Sequence, residues 1–79
     1  MKVTLESTTQ IVELETPSGT VPARIWEGTT ESGVRVHALI TRIAIDKDEP
    51  RAEEFERELK EQRAPSAKVG ASYPARIVL

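Results

Sequence analysis

Cysteine is absent from the 79 residues, so neither a disulfide nor a thiolate metal site can form. A single histidine, His37, cannot supply the ligand pairs of a zinc or iron centre, and no metal or cofactor is expected. Asparagine is missing too, which removes any N-glycosylation acceptor. Apolar runs are as short as Ala38-Leu39-Ile40, and nothing near the amino terminus resembles a signal-peptide core, so the chain reads as cytoplasmic with no membrane partner. Aromatic anchors are limited to Trp26, Phe55 and Tyr73. A chain this short, without staples, buries only roughly 60–65% of its unfolded surface and often gains stability by oligomerising, so one domain over 1–79 and a homodimer are expected. Charge of one sign is lacking as well: the net charge of −2 describes neither a basic nucleic-acid binder nor an acidic tail.

What is present is a sequence of short alternating runs. Val3 and Leu5 fall on one face and Val12 and Leu14 on the other, with Ser7-Thr8-Thr9-Gln10 between them as a turn or bulge. Pro17-Ser18-Gly19 punctuates a hairpin into Val21–Glu27, and residues 28–33 read as a second loop. Val34 to Ile45 is the longest β-branched stretch; its apolar face changes sides near Leu39-Ile40, which places it in the middle of the sheet. Asp48 and Pro50 start a helix expected from about Glu49 to about Arg63, with Ala52, Phe55 and Leu59 as its apolar stripe. Glu53–Arg57 and Glu56–Lys60 are favourably oriented i,i+4 pairs. Residues 64–72 form a loop, and Tyr73–Leu79 returns as a strand. The expected fold class is α+β: an antiparallel sheet of roughly four or five strands, order β-(β)-β-β-α-β, with the helix packed on one face.

Pro-Ala-Arg-Ile occurs twice, in "VPARIWEG" at 21–28 and "YPARIVL" at 73–79. The flanks diverge and no second helix follows the first copy, so the echo reflects two strands built to one rule, not a duplicated unit. If Ala23, Ile25, Ala75 and Ile77 face the helix, then Arg24, Trp26 and Arg76 face away, joined by Arg35 and His37 on the long strand. The plain reading of that face is a solvated surface on which Glu13 and Glu15 neutralise the arginines. The sharper reading is a partner-binding face, because tryptophan flanked by arginine is the composition of interface hot spots.

No catalytic residue emerges. His37 has no recognisable nucleophile and orienting carboxylate beside it, and the helix carboxylates read as solvated. The Gly28–Gly33 loop lacks the lysine and following helix of a phosphate cradle. The acidic helix, with Glu53, Glu54, Glu56, Glu58 and Glu61, is a second contact surface suited to a basic partner. "RIWEGTTESGVRVHALITRIA" (24–44) and "EEFERELKEQRAPS" (53–66) resemble short accessory proteins encoded by phages and prophages. The resemblance implies a small cytoplasmic protein that binds, redirects or inhibits a host or defence protein; it carries no site residue with it. The expected function is therefore a non-enzymatic protein-binding module. The alternative is an assembly protein that self-associates through its sheet face. Single-stranded nucleic-acid binding through Arg24, Arg35, Arg76 and Trp26 comes third, disfavoured by the acidic balance.

Overall fold

The computed structural model of the protein describes residues 1–66. Three strands, β1 (Val3–Thr16), β2 (Gly19–Thr30) and β3 (Arg35–Ile40), form an antiparallel sheet in the order β1-β2-β3, followed by one short helix, α1 (Ala52–Glu58). The α+β class stands, but the expected four or five strands do not: the described sheet has three, and β2, not the 34–45 run, is central. The expected strand at Tyr73–Leu79 lies outside the described residues.

Both hairpins follow from their turn residues. Pro17 and Ser18 connect the closing pair Thr16↔Gly19, where Thr16 Oγ1 donates to the Gly19 carbonyl at 2.6 Å. At the second hairpin the Gly33 amide donates to the Thr30 carbonyl at 3.0 Å and the Thr30 amide to the Val34 carbonyl at 2.9 Å. That pattern requires a left-handed residue after the turn, and Gly33 supplies it at φ 90°. Strand β2 consequently runs through Gly28 to Thr30, positions read from sequence as loop.

The Thr-rich segment in β1 is a bulge. Ser7 pairs with Trp26 and Ile11 with Arg24, so Thr8, Thr9 and Gln10 stand against Ile25 alone. The ladder bonds lost there are replaced by side chains. Thr8 Oγ1 donates to the Ile25 carbonyl at 2.7 Å and accepts from the Gln10 amide, while Arg24 Nη1 donates to the Thr8 carbonyl at 2.8 Å. Thr8 is fully buried, so an unpaired Ile25 carbonyl there would carry its whole desolvation penalty.

Strand β3 stops at Ile40, and the cause lies in β2. The Ile25 carbonyl points toward β1, so by alternation the backbone groups of Arg24 and Pro22 point toward β3. Pairing reaches Arg24↔Ile40; continued by two residues it would meet Pro22, which has no N–H to donate. Residues 41–45 therefore leave the sheet, and Ile43 and Ile45 are exposed rather than on a covered strand.

Helix α1 is half the expected length. It has no side-chain cap, and beyond Leu59 the bonds tighten to Lys60 N–H onto Arg57 O and Glu61 N–H onto Glu58 O. By residue 63 the chain is extended against the outer edge of β1, where the Arg63 amide donates to the Ser7 carbonyl and the Thr9 amide to the Arg63 carbonyl. Tertiary pairing thus overrides the helical propensity of 59–63. Arg51 pairs with Glu49 and Glu54 at the start of the helix.

Candidate functional site

Cross-strand partners share a face, so the register assigns every sheet residue. One face carries Leu5, Ser7 and Ile11 of β1, Arg24 and Trp26 of β2, and Val36, Ala38 and Ile40 of β3. The other carries Val12, Leu14, Ala23, Ile25 and Glu27, with Leu39, His37 and Arg35 opposite Ile25, Glu27 and Thr29. Helix α1 stands over the Trp26 face, the reverse of the expectation that Ala23 and Ile25 point toward it.

The helix does not pack tightly on that face. A groove of about 790 Å³ separates them, floored by Leu5, Ser7 and Trp26 and walled by Phe55 and Leu59 of the helix and by Ile43–Ile45. A smaller hollow of about 270 Å³ adjoins it, between Trp26, Ile11, Arg24 and Ile40. Trp26 is the half-buried partition between the two. The helix stripe is correspondingly incomplete: Phe55 is half-buried and Leu59 exposed.

The five residues grouped by sequence are thereby divided. Trp26 and Arg24 share the groove face, with Arg24 committed to the Thr8 carbonyl. Arg35 and His37 lie on the opposite face, because Arg35 pairs with Thr29 and His37 with Glu27. Arg76 lies outside the described residues. Among the described residues the single face holding tryptophan, histidine and arginines is not formed: alternation holds along each strand, but the register between β2 and β3 is not visible in either strand alone.

Sequence reasoning passed over Glu27. The residue is 3% exposed, and its carboxylate takes Arg63 Nη1 at 2.6 Å, the Ser66 hydroxyl at 2.7 Å and the Ser66 amide at 3.0 Å. Burial pushes this carboxyl up, but the hydrogen bonds from Ser66 and Arg63 and the charge of Arg63 outweigh it and hold it below the ordinary carboxylate range. Glu6 stands directly across from Glu27, a repulsive pair, and Arg63 Nε reaches Glu6 at 3.5 Å. One guanidinium therefore reconciles two opposed carboxylates. The signal was present: Glu27 continues the alternation of Ala23 and Ile25, and a carboxylate on a core-facing position demands a cation.

Among the described residues no group of three or more His, Cys, Asp or Glu could hold a metal ion, and no helix is long and apolar enough to cross a membrane. No protein-family model, curated protein or solved structure matches the chain.

Proposed function

We propose that the protein is a non-enzymatic binding module that grips another protein through the groove between its sheet and α1. The observation that carries this reading is Trp26: a half-buried indole between two open hollows, on a face lined by aliphatic side chains. Such an aromatic wall offers a large apolar area at little cost in conformational entropy, the property of hot-spot residues. The buried carboxylate, Glu27, held below the ordinary carboxylate range, is locked in a structural ion pair on the other face, which supports binding over acid–base chemistry. The resemblance to phage-encoded accessory proteins suggests a host or defence protein as the target, bound inside the cell.

The test is quantitative capture from a lysate of the source cell at physiological salt, wild type beside Trp26→Ala, with circular dichroism of both. The variant is expected to stay folded, because Trp26 borders open space on two sides, and to lose about 2 kcal/mol of binding, roughly thirtyfold in affinity. Equal capture by both proteins, or an unfolded variant, would overturn the reading.

A further inference from the structure

The chemistry of the groove defines its partner more narrowly. Resting on the binding-module reading, we infer that the groove receives a basic amphipathic helix, with apolar side chains seated on Trp26, Phe55 and Leu59 and Lys or Arg along its flanks.

Three observations lead there. The groove wall is apolar at Leu5, Trp26, Ile43, Ile45, Phe55 and Leu59, and Ile43, Ile45 and Leu59 keep exposures of 48%, 38% and 39%, so a desolvated stripe would find ready area. Its lining also holds five carboxylates, Asp46, Glu49, Glu54, Glu58 and Glu61, against only Arg51 and Arg63; Glu6 borders it, but the register turns its side chain to the Glu27 face. Both guanidiniums are already engaged, Arg51 by Glu49 and Glu54 and Arg63 by Glu6 and Glu27. Among the described residues no ion pair engages Asp46, Glu58 or Glu61, so the rim presents unbalanced negative charge.

The third observation is what the groove lacks. Its floor is a sheet face, and the neighbouring β1 edge is occupied at Ser7 and Thr9 by Arg63. An extended segment on that floor would lie against side chains with the Ser7–Thr9 edge beside it already taken, whereas a helix satisfies its own backbone. A second copy of this chain is a poor occupant, since its α1 carries Glu53, Glu54, Glu56 and Glu58 and would set like charges against the rim.

Trp26 is the one tryptophan in the chain, so its emission reports on the groove directly. The probes are three Trp-free helical peptides of about 14 residues with the same leucine stripe, carrying lysine, glutamine or glutamate elsewhere. The lysine peptide is expected to shift Trp26 emission saturably, with a dissociation constant on the order of 10–100 μM that weakens severalfold between about 50 and 300 mM salt. Glu58→Lys/Glu61→Lys should weaken it about tenfold. Glu53→Lys/Glu56→Lys, the same change in net charge off the groove, should weaken it less than about twofold. Equal binding of the glutamine or glutamate peptide, or equal effects of the two double variants, would overturn the inference. Trp26-dependent capture with no response to any peptide would also overturn it while leaving the binding-module reading intact; loss of that capture would instead remove the reading.

Discussion

At the scale of single residues, Glu27 and Thr8 show how polar atoms are made compatible with burial. Because the folded-state pKa of Glu27 is depressed, its contribution is fully present above the ordinary carboxylate pKa and disappears as pH falls through the lower folded value. Wild-type stability should therefore fall more steeply between about pH 5 and 3 than that of Glu27→Gln, when denaturant midpoints are compared across that range. At pH 7 the same variant should lose about 1–3 kcal/mol, since Arg63 and Ser66 would face a neutral amide; an unchanged midpoint would show that the cluster adds nothing. Thr8→Val removes the donor to the buried Ile25 carbonyl and should also cost about 1–3 kcal/mol, whereas Thr8→Ser, which keeps the hydroxyl, should recover most of it.

At the scale of elements, the close approach of β1 and β2 is decided by a missing side chain. A Cβ on Gly28 would collide with the Thr4 carbonyl and the Leu5 Cα. Gly28→Ala should consequently destabilise by about 1–3 kcal/mol or more, with the loss concentrated in Val3–Ser7 amide protection measured by hydrogen exchange. An alanine variant as stable as wild type would mean that the strands separate there at no cost.

Sequence alone carried the elements whose signals are local. The Pro17–Gly19 hairpin, the opposite facing of Val3/Leu5 and Val12/Leu14, and the break between them, a turn or bulge by sequence and a bulge in the fold, are legible from alternation and turn chemistry. What was not legible depends on partners distant in the chain. Arg63 ends the helix because it pairs with Ser7 and Thr9, and Pro22 ends β3 through a donor it lacks. The pairing of His37 with Glu27, which divides the expected site, is a property of register between two strands.

At the scale of the whole molecule, the chain after α1 turns round the outer edge of β1. Ser7 Oγ donates to the Glu61 carbonyl, Arg63 pairs along the edge, and Ser66 closes on Glu27 at the far face. This wrap is the direct covalent and hydrogen-bonded tie between the groove wall and the buried carboxylate. Glu27→Gln should loosen it, raising exchange at the Thr9 and Arg63 amides at least tenfold while the β2–β3 amides change little. Uniform acceleration across the sheet would show that the wrap and the sheet open as one unit.

The bulge also sets a rule for chain length. Residues 8–10 place two more positions in β1 than the partner strand supplies, and an even surplus leaves the inward and outward alternation of Ile11–Thr16 in phase with Ser7. With the 16–19 hairpin holding Ile11–Thr16 in register, shortening this loop by one residue would turn Leu5 and Ser7 away from the groove and bring Glu6 onto it. Shortening it by two would keep every facing but remove the edge that Arg63 grips. Length variation here is thus quantised: odd changes invert half a strand, and even ones release the wrap that holds the groove wall in place.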